Sequence, residues 1–206
     1  MPTFISLAVV LLLAGEIFKV VVLVVDNLSP YTKDILLCLR KLKANYAYKR
    51  FYENIDHKII SYEKVILSGR SKPSREINAT NSKLIIKCNQ LDVPVLGICY
   101  GAEIMALALG GSIHRMVTPV REMNHILISE SPEANVIFQK SKMLYVYESH
   151  AYCVAQIPQD FVSIATSKYC KNEVFLNLGR RLIGVQFHPE KSKEDGLELF
   201  SSFLHI

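Results

Sequence analysis

"VPVLGICYGAEIMALALGG", Val93 to Gly111, passes from an apolar strand (Val93 to Ile98) into a helix (Tyr100 to Leu109) through one corner, Gly97-Ile98-Cys99-Tyr100-Gly101, where two glycines bracket a cysteine. In an open α/β sheet, sites form at the carboxyl ends of strands, and Cys99 falls at such an end. A sharp strand-to-helix turn exposes the residue at its apex, and flanking glycines relieve the crowding. The first helical turn offers unpaired N–H groups and the positive end of a dipole, which favour a thiolate. The N–H of Tyr100 is then aimed where an oxyanion would develop. A buried structural cysteine between two packing glycines explains the corner equally well, so the corner alone leaves both readings open.

Working outward, Phe18 to Val25 is a continuous β-branched run, as expected of a strand buried on both faces. It ends in "DNLSP", a turn and helix entry. Tyr31 to Lys43 then sets Ile35, Leu36, Leu39 and Leu42 on one helical stripe. Strands at about Tyr46 to Tyr52 and Lys64 to Leu67 follow, the latter running into the polar turn "SGRSKPS", and a helix spans Ala79 to Asn89. This alternation predicts an α/β fold with a mostly parallel open sheet flanked by helices and right-handed crossovers. After Gly111 the texture changes to short alternating stretches at Ile113 to Val117, Asn124 to Ser129, Met143 to Glu148, Phe161 to Thr166, Glu173 to Leu178 and Arg181 to Phe187. These are expected to be antiparallel strands added in the C-terminal half, partly as a side sheet, before a closing helix at Lys193 to Leu204. No repeat or linker interrupts residues 17–206, which read as one domain.

The first 16 residues read as an apolar extension. "MPTFISLAVVLLLAG" is short for a membrane helix and lacks the basic start of a signal peptide, so no membrane association is expected. The chain has 206 residues, half of them hydrophobic, and a net charge of +5 spread along its length. Nucleic-acid binding would need a concentrated basic stripe or a known module; neither is present. The charge suits a solvated surface or a contact with an acidic partner. The five cysteines, Cys38, Cys88, Cys99, Cys153 and Cys170, form no CxxC pair and no metal-type spacing with the histidines. They suggest reduced thiols in a cytoplasmic protein without a bound metal. Cys153 and Cys170 fall in strand-like stretches and are expected to pack. His57, His114, His125 and His205 are expected to be surface or packing residues.

A nucleophile needs a base and an orienting group. The strand Arg181 to Phe187 runs out into "GVQFHPEKS", where His188 and Glu190 are two apart and project to one side of an extended chain. A carboxylate can then hold the imidazole in one tautomer while its other nitrogen faces a thiol.

"GICYGAEIMALALGG" together with "GVQFHPE" resembles the class I, triad-type glutamine amidotransferases. The resemblance covers roughly Phe18 to Phe203, with "KVILSGRSKPS" in the place of the oxyanion loop. "YVYESHAYCVAQIPQDFVSIATS" resembles the Ser-His segment of the glutaminase subunit or domain of GMP synthase. The resemblance implies a flavodoxin-like fold, glutamine as substrate, no cofactor, and ammonia passed to a separate ATP-dependent synthetase (ATP-pyrophosphatase) subunit. It implies Cys99 as nucleophile, His188 as proton carrier, Glu190 as its orienting carboxylate, and the N–H groups of Gly69 and Tyr100 as the oxyanion hole. Glu103, Ser149 and His150 would lie near the glutamine or the partner. Three departures stand out. The loop reads Ser68-Gly69-Arg70-Ser71 where the family has Ser-Gly-Gly-Pro, and Arg70 lacks glycine's freedom at positive φ, so the loop is expected to be altered or ordered by a partner. Glu103 stands where the family has Gln, and an ionised Glu only accepts hydrogen bonds. "SHAYCV" lacks the acid of the GMP-synthase pattern. Rival readings are an amidotransferase of the anthranilate or aminodeoxychorismate type, a γ-glutamyl hydrolase, and a degenerate, non-catalytic regulatory homologue.

Overall fold

The computed structural model describes residues 21–53, 55–139 and 142–206; the apolar extension lies outside them. Five strands, β1 (Val21–Asp26), β2 (Asn45–Arg50), β3 (Lys64–Leu67), β4 (Val95–Ile98) and β9 (Leu182–Val185), form the parallel part of the sheet. β5 (Ser112–Ile128), β6 (Met143–Gln156), β7 (Val162–Thr166) and β8 (Val174–Asn177) extend it antiparallel. The order across the single nine-stranded sheet is β2-β1-β3-β4-β9-β8-β7-β5-β6.

Strand alternation sends side chains to two cores. Val22 and Val24 of β1 pack on one face with Ile35 and Leu39 of α1 (Thr32–Lys41) and with Leu199, Phe200 and Phe203 of α5 (Lys193–His205). Leu23 and Val25 pack on the other with Leu84 and Ile85 of α2 (Arg75–Gln90) and with Ala102 and Met105 of α3 (Tyr100–Ala108). A strand apolar on both faces is what a helix-covered parallel sheet requires. A short helix α4 (Pro132–Ile137) starts at Ser131, whose hydroxyl accepts from the Ala134 N–H, an N-cap.

The expected side sheet is instead continuous with the parallel core, because β9 pairs with β4 on one edge and β8 on the other. The two stretches read around Ile113 and Asn124 are one long strand, β5. A register shift between Arg115 and Val120 breaks its alternation there, at the segment holding Pro119, which has no N–H to give the ladder. β5 joins β7 only through Leu127 and Ile128. The rest of β5 pairs with β6 alone, and the far half of that ribbon stays packed on the domain through Cys153 and Val154 of β6, both buried. Cys170, read as strand, lies in the turn before β8 and is buried. No helix of the described residues is long and apolar enough to cross a membrane.

Candidate active site

Cys99 occupies the turn between β4 and α3 with φ 51° and ψ −106°, a conformation that a non-glycine residue holds only under constraint. The constraint is packing on both sides. A Cβ on Gly97 would lie 2.5 Å from the Gly101 carbonyl oxygen, and one on Gly101 would lie 2.5 Å from that of Leu67. The Cys99 N–H donates to the Val185 carbonyl of β9 at 2.7 Å. The sulfur is thus fixed beside the end of the neighbouring strand.

Three residues past that strand end stands His188. Its N–H donates to the Tyr147 carbonyl at 2.8 Å and its own carbonyl accepts from the Ser192 hydroxyl at 2.7 Å. Its Nδ1 lies 2.8 Å from Glu190 Oε1, both side chains buried. The Tyr31 ring meets the imidazole edge-on at 4.9 Å. Burial works against charge on this ring, but the Glu190 carboxylate and Cys99 outweigh it and raise its pKa well above the usual value. A Cβ on Gly69 would sit 3.1 Å from His188 Cε1 and 3.9 Å from Cys99 Cβ, so the loop runs beside both residues and a side chain here would crowd the imidazole. As the first residue of α3, Tyr100 has an N–H without an intrahelical acceptor.

Arg70 corrects an expectation. Its backbone does not enter the left-handed region, which among the described non-glycine residues holds Leu28, Lys43, Asp92, Cys99, Arg181 and Lys193. Its guanidinium lies 4.0 Å from the Tyr100 ring centroid and donates to Asn78 Oδ1 at 2.6 Å. These contacts join the loop to α2 and α3.

A cleft of about 400 Å³ opens in front of Cys99, lined also by Arg70, Tyr100, Glu103, Ser149 and His150. Ser149 presents its carbonyl oxygen 3.8 Å from the Cys99 sulfur. Glu103 is buried and accepts from Gln186 Nε2 at 3.3 Å. Burial pushes its carboxyl up against the opposing pull of Gln186, His150, Arg70 and His188. Of the eight residues singled out in sequence, five line the cleft, Gly69 lies beside Cys99 and His188, and Glu190 is bonded to His188. Sequence reading missed Tyr31, Tyr147, Gln186 and Glu148, which seat these groups. Gln186 stood inside the quoted "GVQFHPE" and Tyr147 and Glu148 inside the quoted "YVYESHAYC", where Glu148 precedes His150 by two, the spacing that singled out His188 and Glu190; Tyr31 carried no local signal. His114, His125 and His205 are exposed; the side chain of His57 lies outside those described.

Glu148, His150 and Glu173, all buried, offer ligand atoms within 4.8 Å of one another. His150 Nδ1 is taken by the Tyr152 carbonyl and Nε2 by Glu148 Oε2, while Glu148 Oε1 accepts from Asn124. Glu173 Oε2 lacks a partner, but with both His150 nitrogens and both Glu148 oxygens already bonded the cluster has no free nitrogen and a single open oxygen, which does not fit a metal.

Residues 23–206 match the family model described as glutamine amidotransferase class-I. The chain is 37% identical over 148 residues to the glutamine-hydrolysing GMP synthase subunit of Saccharolobus solfataricus, covering 70% of this chain and 77% of that one. It is 29% identical over 188 residues to the glutamine-hydrolysing GMP synthase of Aliivibrio fischeri, covering 89% of this chain but 35% of that longer protein. The fold matches a candidate GMP synthase subunit of Thermoplasma acidophilum with TM-score 0.81 and 24% identity, over 92% of this chain and 94% of that one. A glutamine amidotransferase of Thermotoga maritima matches with TM-score 0.72 and 20% identity, over 91% and 84%.

Proposed function

The chain belongs to the class-I glutamine amidotransferases, and from that membership we propose that it hydrolyses glutamine through Cys99, His188 and Glu190 and passes the ammonia to a separate synthetase subunit that aminates XMP to GMP. The observation that carries the chemistry is the seating of His188. Glu190 takes its Nδ1 at 2.8 Å, which leaves the other ring nitrogen for Cys99, the other side chain that bonds the imidazole.

In this reading the Cys99 thiolate attacks the side-chain amide carbon. The oxyanion forms against the N–H groups of Gly69 and Tyr100. Protonated His188 gives its proton to the departing nitrogen, the C–N bond breaks, and ammonia leaves a γ-glutamyl thioester. His188, now neutral, takes a proton from water; the hydroxide adds to the thioester, the C–S bond breaks, and glutamate is released. Glu190 holds the ring in the tautomer both steps need. Chemistry of this kind has no need of ATP, which the synthetase would use to activate the acceptor. The acceptor assignment rests on the similarity to the glutamine-hydrolysing GMP synthase subunit of Saccharolobus solfataricus, of which the chain covers 77%; it covers about a third, 35%, of the single-chain GMP synthase.

Glutamate release from glutamine, measured for the chain alone and with an XMP-aminating synthetase, tests the proposal beside Cys99→Ala. Release that disappears in Cys99→Ala is expected. Release by neither preparation, or release that survives the substitution, would sink it.

A further inference from the structure

His150 has both ring nitrogens committed. Nδ1 lies 2.8 Å from the Tyr152 carbonyl oxygen and Nε2 lies 2.9 Å from Glu148 Oε2. A carbonyl oxygen only accepts, so Nδ1 carries a proton. One further proton is shared along the Nε2–Oε2 line, and imidazole is the more basic partner by about two pKa units. The Asn124 amide donating to Glu148 Oε1 at 2.7 Å stabilises the carboxylate further. Nε2 is then protonated too, and the ring is an imidazolium with no nitrogen left to exchange protons. This ring lines the same cleft as Cys99, and the adjacent Ser149 carbonyl lies 3.8 Å from the sulfur.

We propose that Glu148 and Asn124 hold His150 as a fixed imidazolium, a positioning residue whose charge keeps Cys99 as the thiolate. The inference rests on the reading of Cys99 as the nucleophile. It divides the work between two buried carboxylate–histidine pairs that both feel Cys99. Glu190 takes one nitrogen of His188 and leaves the other to carry protons, whereas Glu148 and Tyr152 take both nitrogens of His150 and leave it only its charge. The titratable groups facing His150 are Glu148 on its own strand, Glu173 and Cys170 ahead of β8, Cys99 in the β4–α3 turn and Glu103 of α3. Burial opposes the cation, but the hydrogen bond to Glu148 and the charges of Cys99 and Glu148, joined by that of Glu173 once it ionises, outweigh it and lift His150 to about 9. The ring therefore stays charged across neutral pH.

The test is the pH profile of Cys99 alkylation by iodoacetamide in the full chain, followed by the mass of the Cys99 peptide. It is run on the wild type, His150→Gln and Glu148→Gln. Both variants should react about tenfold more slowly at neutral pH, because a nearby opposite charge shifts a titration by about a unit or more. Their curves should rise at higher pH to a plateau at or above that of the wild type, since a more basic thiolate is the better nucleophile. Superimposable curves for all three would overturn the proposal. Imidazole nitrogen NMR of the wild type covers the case in which a variant fails to fold: a doubly protonated His150 at neutral pH is expected, and a singly protonated ring refutes it. Neither readout involves glutamine turnover, so this inference and the assignment of Cys99 as nucleophile can fail separately.

Discussion

The Arg70 guanidinium stacks 4.0 Å from the Tyr100 ring centroid, and both side chains bond the same atom, Asn78 Oδ1, at 2.6 and 3.1 Å. This three-way contact ties the loop holding Gly69 to the start of α3, the two segments that would supply the oxyanion hole. A cation over an aromatic face at a partly exposed site contributes about 1 kcal/mol. Arg70→Ala should therefore lower stability by about that amount in urea denaturation. If the loop reaches the transition state in its native place, kcat/KM for glutamine falls roughly fivefold, the same energy in rate terms. Unchanged values of both would show that something else orders the loop.

Glu190 places one oxygen 2.8 Å from His188 Nδ1 and leaves the other buried without a partner. In Glu190→Gln the amide can turn its NH2 toward Nδ1, which would move the ring proton to Nε2 and remove the base. We expect kcat to fall about 100-fold or more, with KM for glutamine little altered. Steady-state kinetics of the variant decide it, and a kcat within about twofold of the wild type would remove Glu190 from the mechanism.

Local chemistry made the corner legible. Gly97, Cys99 and Gly101 announce a tight strand-to-helix turn, and the continuous apolar runs of β1 and β4 mark strands covered on both faces. The long-range pairings left no such trace. β5 reads as two strands because the shift between Arg115 and Val120 interrupts its alternation. The contact of Asn124 with Glu148 depends on the β5–β6 register, which no local pattern records. Arg70 was misjudged for another reason: the chain does not need a positive φ at that position, and its side chain has a ring to lie on.

Glu173 and His150 make stability fall as pH rises. Burial, aided by the Glu148 charge, raises the Glu173 carboxyl to about 8. Between its unfolded value near 4.5 and that point the folded chain keeps a proton that the unfolded chain has lost. His150, raised from 6.5 to about 9, acts the same way over its own interval. The stabilisation is complete below each unfolded pKa and is lost as pH climbs through the folded one. Urea midpoints should thus decline from about pH 5 to pH 9. Glu173→Gln, which cannot ionise, should flatten the lower part of that decline. A wild-type midpoint that rises with pH over this range would contradict the assignment.

Glu103 poses the sharpest question about substrate binding. Gln186 is held in one sense, because its Oε1 accepts from the Val154 N–H at 3.3 Å and its Nε2 therefore donates to Glu103 Oε1, also at 3.3 Å. One Glu103 oxygen is thereby fixed as an acceptor. A proton on the other would make it a donor facing the cleft. Burial favours that protonated form, and a glutamine at this position would present the same pair, an accepting oxygen and a donating NH2, at every pH. KM for glutamine in the wild type should accordingly rise with pH as the carboxyl ionises and its donor is lost. In Glu103→Gln the KM should stay flat, meeting the wild-type value at the acid end. Parallel KM profiles for the two proteins would show that the acid's proton takes no part in holding the substrate.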